Sequence, residues 1–112
     1  MKTINKEEIL KHYIAAALWT ADKNDRDLSD MGLSTISKAK EDIDLFIEKA
    51  GNLLDNIDEE QIGHDFWLTR NHHGAGFWDR GLGEVGDKLT EISETFKELN
   101  VWENELNIVY FE

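Results

Sequence analysis

Cysteine and proline are both missing from this sequence of 112 residues. Without cysteine the chain can form no disulfide bond, no thiolate zinc site and no cysteine nucleophile. Without proline it lacks the strongest helix breaker, so helix ends must be sought at Gly, Asn and Asp or where the apolar pattern stops. The two absences exclude several kinds of catalytic and structural centre and leave long helices possible.

Basic residues and long apolar runs are also scarce. Twelve Lys and Arg against 24 Asp and Glu give a formal charge of −12, which repels nucleic acid and anionic membranes. No apolar run approaches the roughly 20 residues of a membrane span, and the start MKTINKEEIL lacks the apolar stretch of a signal peptide. We therefore expect a cytoplasmic protein that contacts neither nucleic acid nor membrane and favours basic partners. The same charge can also serve only to keep a small protein dissolved.

Apolar content is sufficient for a folded core. Hydrophobic residues make up 40% of the chain, and Trp, Tyr and Phe are present at four, two and five positions. This much apolar surface can offset the conformational entropy lost on folding. Because 112 residues is the usual length of one domain, we predict a single domain over residues 1–112.

Apolar residues recur at three- and four-residue spacings in three segments. The pattern predicts helices over residues 6–20, 35–54 and 84–99. Asn5 and Ser34 are residue types that cap the first two helices well.

A fourth helix is indicated between the second and the last of these. Asp58 stands at capping-box spacing before a Gln, which predicts a helix that runs to Arg70 with Gly74 as its left-handed C-cap. The alternative is a hairpin of residues 66–70 and 77–80, because Phe, Trp and Thr favour strands. We prefer the helix.

The C-terminal segment NVWENELNIVYFE predicts a short β-hairpin. Val101 and Trp102 lie on one side of a polar turn, and residues 108–111 lie on the other. A lone hairpin is marginally stable in water, so this one must pack on the helices. The expected fold is mainly α, of the α+β type, with about four helices round one core and a short C-terminal β-hairpin.

Residues 63–83, GHDFWLTRNHHGAGFWDRGLG, differ in composition from the rest of the chain. They contain two of four Trp, three of four His and five of eight Gly, and their formal charge is zero. Because Gly permits close backbone approach and aromatic rings supply contact area, this segment is a candidate binding site. The candidate residues are His64, Asp65, Trp67, Arg70, Asn71, His73, Phe77, Trp78, Asp79 and Arg80.

The same residues also permit a purely structural interpretation. Phe66, Trp67, Phe77 and Trp78 can be ordinary core residues. Pairing of Asp65 or Asp79 with Arg70 or Arg80 would hold the segment in place without any catalysis.

Familiar catalytic and metal motifs are not present in this segment. His64, His72 and His73 with Asp65 or Asp79 offer metal-binding atoms, but their spacing matches no known zinc motif. No Gly-x-Ser-x-Gly elbow occurs, and the Gly-Ala-Gly run is not followed by the Lys-Ser or Lys-Thr of a phosphate-binding loop. We therefore predict no metal, no cofactor and no catalytic residue.

Acidic residues are concentrated between positions 41 and 60. We expect them to form one acidic face, which is either a recognition surface or simply a solvated helix face. The residues of this predicted face are Glu41, Asp42, Asp44, Glu48, Asp55, Asp58, Glu59 and Glu60.

The motif GHDFWLTRNHHGAGFWDR, followed by GLGEVGDKLTE, resembles a family of small proteins of unassigned function encoded by bacteriophages, prophages and related mobile elements. The resemblance extends loosely over most of the chain, including YIAAALWT near its start. It brings no catalytic or binding residue with it. It implies action on a host protein, since small acidic phage proteins often bind one, and some that counter restriction or CRISPR systems imitate DNA phosphates.

Our leading expectation is a non-enzymatic protein that binds and modulates a host protein with a basic nucleic-acid-binding surface. The acidic face, the aromatic segment or both would make the contact, with DNA mimicry as one form of it. The alternative is a small enzyme or ligand-binding domain, and a third hypothesis is a structural or assembly role in a phage particle or replication complex. The site of that enzyme would be lined by His64, Asp65, Arg70, His73, Asp79 and Arg80.

Overall fold

The computed structural model describes residues 3–112 and has four α-helices and one antiparallel hairpin. The predicted fold class, four helices with a C-terminal β-hairpin, is confirmed. The elements are α1 Lys6–Thr20, α2 Leu33–Ala50, α3 Glu59–Arg70, α4 Glu84–Glu94, β1 Val101–Glu103 and β2 Val109–Phe111. Short 3-10 helices lie at Leu28–Asp30, Gly51–Leu54 and Phe77–Asp79.

The predicted starts of α1 and α3 are confirmed. The Asn5 side chain accepts the backbone N–H of Glu8 at 3.2 Å, which satisfies one free donor at the start of α1. The Asp58 side chain accepts the N–H of Gln61 at 2.8 Å at the start of α3. These caps follow from local chemistry, so sequence alone locates them.

The predicted ends of α2 and α4 are wrong. Helix α2 starts at Leu33 behind Gly32 instead of behind Ser34, and its α-helical part ends at Ala50, where a 3-10 turn takes over. Helix α4 ends at Glu94 although the apolar pattern continues to residue 99. Beyond α4 the apolar residues still pack on α3, since Phe96 meets Phe66 with ring centroids 4.9 Å apart. The N–H of Leu99 donates to the side chain of Asn71, the C-cap of α3, at 2.7 Å.

The prediction of α3 as a helix is confirmed, and the alternative hairpin over residues 66–80 is not formed. The predicted C-cap Gly74 is wrong, because α3 ends at Arg70 with Asn71 as its C-cap, and the left-handed residue is His72, with φ of 56°. Asn71 ends the helix through its own side chain, whose amide donates to the Trp67 carbonyl at 2.9 Å.

The core is built round stacked aromatic rings. Phe46 of α2 stacks on Phe66 of α3 with centroids 4.3 Å apart and on Phe77 at 5.7 Å. Tyr13 of α1 meets the edge of Trp67 at 5.3 Å. Because these rings come from four different parts of the chain, their burial ties α1, α2, α3 and the segment before α4 together.

The hairpin packs on the helices, as its marginal stability alone requires. Its turn is fixed by the Asn104 side chain, which accepts the N–H groups of Leu106 and Ile108, and by Asn107 in the left-handed region at φ of 63°. Phe111 lies against Trp67 with ring centroids 4.9 Å apart. Among the helices of residues 3–112, none combines the length and the apolar character needed to cross a membrane.

Candidate functional site

Arg70, a candidate site residue, is buried in the structure, with 2% of its surface exposed. Its Nη1 donates to Asp42 Oδ2 at 2.8 Å and to the Tyr13 hydroxyl at 3.1 Å. Its Nε and Nη2 donate to the Lys97 carbonyl at 3.1 and 2.6 Å. Arg70 therefore holds α1, α2, α3 and the segment after α4 together and is not available to a ligand.

Asp42 does not lie on the acidic face, where the sequence analysis placed it. It is buried and accepts Arg70 on one oxygen and Lys38 Nζ at 2.8 Å on the other. The run of charges suggested an exposed residue, but Asp42 shares the inner side of α2 with Ala39, Ile43 and Phe46. A buried carboxylate is retained there because the buried guanidinium needs a counter-charge.

Tyr13 completes this buried network and gives it a pH dependence. Burial, the largest cause, raises the pKa of Tyr13 from 10.0 to about 12, although Arg70 lowers it. Because the folded pKa lies above the unfolded one, the hydroxyl's contribution to stability is fully present below pH 10.0 and is lost as the pH rises through about 12.

We expect the urea midpoint of unfolding to fall as the pH rises from 10.0 to about 12, and to fall less in Tyr13→Phe, as measured by tryptophan fluorescence. Equal falls in both proteins would contradict this assignment.

Asp65 and Arg80 form the one predicted pair that the structure contains. The buried carboxylate accepts Arg80 Nε at 3.0 Å and Nη2 at 2.8 Å, and these hydrogen bonds raise the pKa of the Arg80 guanidinium. The other proposed pairing is wrong, because Arg70 binds Asp42 instead of Asp65 or Asp79. The pair joins α3 to the segment before α4 and leaves the Arg80 side chain about one third exposed.

Three glycines in and beside the segment serve close packing. A Cβ at Gly63 would overlap the Ile9 carbonyl and lie 2.8 Å from the Tyr13 nitrogen, so α1 and α3 can approach only because Gly63 has none. A Cβ at Gly76 would overlap the Thr69 hydroxyl, and one at Gly86 would lie 2.8 Å from the Phe77 carbonyl. These glycines therefore permit close contacts within the protein itself.

The core interpretation of the aromatic residues holds for three of the four. Phe66, Trp67 and Phe77 are buried, and Trp67 Nε1 donates to the Thr20 hydroxyl at 3.0 Å. Trp78 is 51% exposed. Asp79 is also exposed. Half of residues 63–80 are therefore buried and maintain the fold, and the other half lie wholly or partly at the surface.

Three residues proposed above for an enzyme or ligand-binding site line one surface groove together with Trp19 of α1. His64 lies beside the Trp19 ring with centroids 6.1 Å apart, and His73 and Arg80 complete the polar lining. Asp65 lies behind Arg80, while Arg70 and Asp79 are not part of the lining. We call this the Trp19 groove, lined by Trp19, His64, Leu68, His73, Gly74, Ala75 and Arg80.

Within residues 3–112 no group of three or more His, Asp or Glu side chains is placed to hold a metal ion. His72, one of the possible ligands, lies instead beside Glu94 and Glu98, with nitrogen–oxygen distances of 3.4 and 3.5 Å.

Comparisons with protein-family models, curated proteins and solved structures find no match to this chain. The chemistry of its own side chains must therefore indicate what it does.

The acidic surface is extensive but differs from the predicted face. Four of its predicted residues remain exposed without a hydrogen bond or ion pair from their side chains in residues 3–112, namely Glu41, Glu48, Asp55 and Glu60. Asp44 is exposed and pairs with Lys6 at 3.0 Å. Asp58 caps α3, and Glu59 accepts the Asn5 N–H at 3.0 Å.

A second acidic row lies on α4, and the sequence analysis missed it. Its members recur at offsets of three and four residues, so they share one helix face, opposite the apolar row that packs on the core. The apolar spacing that predicted α4 also fixes this row, and this signal could have found it. The exposed residues of the row are Glu84, Asp87, Glu91 and Glu94.

Proposed function

We propose that this protein is a non-enzymatic binding protein that uses its acidic helix faces to contact a basic surface on a host protein. The observation that carries the proposal is the exposure of the carboxylates. Of the 24 Asp and Glu residues all but five are exposed, and α2 and α4 each present a row of them. The five are Asp30, Asp42, Glu59, Asp65 and Glu103.

Electrostatics supports a basic partner of the kind that handles nucleic acid. Rows of carboxylates fixed on rigid helices attract a complementary cationic surface and raise the rate of encounter, whereas they repel nucleic acid itself. In its strongest form the proposal is mimicry of DNA, with the carboxylates occupying the place of phosphates. A host defence system such as restriction or CRISPR is the proposed context.

The position of the motif's polar residues supports binding over catalysis. Arg70 and Asp65 are held in internal ion pairs, and Asn71 and Thr69 form hydrogen bonds with backbone groups of the chain itself. A general acid or base must reach a substrate proton, which the buried Asp65 and Arg70 cannot do. The exposed surface of the protein is therefore the better candidate for its activity.

Charge reversal on α2 and α4 tests the proposal. Tagged protein is used to capture partners from bacterial lysate at low and high salt, and the variants are Glu41→Lys/Asp44→Lys/Glu48→Lys and Asp87→Lys/Glu91→Lys/Glu94→Lys. We expect a nucleic-acid-handling protein to be recovered at low salt. In at least one triple variant the amount recovered should fall by about tenfold or more, because several close charge contacts are lost together. Alanine at His73 or Asp79 should leave the capture unchanged.

A matched control separates a specific face from total charge. Glu7→Lys/Asp25→Lys/Glu105→Lys alters three exposed residues elsewhere, and, like each triple variant above, it takes the formal charge from −12 to −6. Equal loss of capture in all three variants would show that only net charge matters. Full capture by both the α2 and the α4 variants would reject the proposal.

A further inference from the structure

The Trp19 groove differs from the rest of this acidic surface. Four other surface cavities in residues 3–112 each include at least one Asp or Glu in their lining, and this groove includes none. Its volume is about 360 Å³, within the range of small-molecule sites. An anion, which a chain with formal charge −12 repels, meets no carboxylate in the lining of this groove.

The groove also contains polar nitrogen atoms that the protein leaves unused. The imidazoles of His64 and His73 make no hydrogen bond or ion pair to residues 3–112. Arg80 Nη1 makes none either, although Nε and Nη2 are held by the buried Asp65 carboxylate. Because Asp65 fixes the guanidinium, its free edge is positioned before any ligand arrives.

The walls of the groove suit a flat ring. Trp19 is 59% exposed, so it contributes little to the core, and its ring is inclined at 47° to the imidazole of His64. Leu68 and Ala75 supply apolar surface between the polar groups. An exposed indole beside apolar side chains offers stacking area to a planar group.

We propose that the Trp19 groove binds a planar ring that carries one anionic group. The ring lies against Trp19 and the apolar wall, and the anion accepts hydrogen bonds from Arg80 Nη1 and His73. Because Asp65 offsets much of the Arg80 charge, hydrogen bonding and stacking contribute more to recognition than net charge does. An aryl carboxylate and a nucleoside monophosphate share this chemistry.

Paired ligands test the proposal and distinguish the two sources of the anion. Benzoate is compared with benzamide, and uridine monophosphate with uridine, in titrations followed by the NMR signals of the Trp19 indole N–H and the Arg80 Nε–H. We expect at least one anion to shift both signals with a Kd about tenfold below that of its neutral partner, as one charge-assisted contact provides. The ligand pair that shifts these signals shows whether the groove prefers an aryl carboxylate or a nucleoside monophosphate. No response to either anion, or equal affinity for charged and neutral partners, would overturn the proposal.

Variants locate the site without disturbing the fold. Arg80→Ala would leave the buried Asp65 carboxylate unpaired and risks unfolding, so Trp19→Ala and His73→Ala are preferred. Each should raise the Kd of the responding anion about fivefold, while the similarly exposed Trp78→Ala should not change it. Trp19→Phe should recover part of the affinity because it restores a ring. Unchanged affinity in Trp19→Ala and His73→Ala, with melting temperatures like that of the parent protein, would contradict the assignment.

Discussion

Asp42→Ala should destabilise the protein by about 3–5 kcal/mol, the cost typical of leaving one member of a buried ion pair alone. The side chain of Asp42 is 6% exposed and that of Arg70 is 2% exposed, so both charges are almost entirely removed from bulk water. The guanidinium would keep its bonds to Tyr13 and Lys97 but would lose its only anionic partner among residues 3–112. Urea unfolding followed by circular dichroism measures the loss.

Asp44→Ala is the matched control, since it removes the same side chain two residues away on α2. Asp44 pairs with Lys6 in a bridge whose two side chains are each 57% exposed, and exposed pairs contribute little. The control should therefore unfold at nearly the same urea concentration as the parent protein. Similar losses in Asp42→Ala and Asp44→Ala would show that Asp42 does not hold a buried network.

Gly63→Ala should lower the free energy of unfolding by about 3 kcal/mol, at the upper end of the usual cost of overpacking a core. In an isolated helix this substitution would be favourable, because Ala has the higher helix propensity. Here the added Cβ would overlap the Ile9 carbonyl, and α1 and α3 would have to move apart. These two helices form the most extensive contact between helices in the described chain, so the displacement affects the whole core. Urea unfolding again provides the measurement.

Gly74→Ala supplies the comparison for Gly63→Ala. A Cβ at Gly74 has no atom within 4 Å, and the residue does not have a positive φ. The free energy of unfolding of Gly74→Ala should stay within about 0.5 kcal/mol of that of the parent protein, as for most surface substitutions. If Gly63→Ala were as stable as Gly74→Ala, the close approach of α1 and α3 would not depend on the glycine.

The sequence predicts well those features that depend on neighbouring residues. The caps Asn5 and Asp58 act within three residues, and the apolar spacing of α1 and α4 repeats along one helix face. The C-terminal hairpin is likewise indicated by its polar turn, in which Asn104 and Asn107 adopt the roles that short turns require. Such signals can be recognised in the sequence because each one is contained in a few consecutive residues.

The candidate site is predicted much less well. The run of carboxylates suggests that Asp42 is exposed, although its spacing from Ala39 and Phe46 places it on the apolar side of α2. Its partner Arg70 cannot be identified locally, because the two residues are 28 positions apart in the chain. Nor can the motif reveal which residues it leaves exposed, since Trp19 joins His64 and His73 only through the packing of α1 on α3. Burial and pairing across the fold decide these roles.

The sequence by itself determined the helical fold class, the C-terminal hairpin, the formal charge of −12 and the exclusion of cysteine chemistry. These follow from composition and from local periodicity. Only the tertiary structure decided that Arg70 pairs with Asp42 and Asp65 with Arg80, and that the Trp19 groove has no carboxylate in its lining. The physical reason is that a side chain's role depends on which distant residues exclude water from it and offer it a partner.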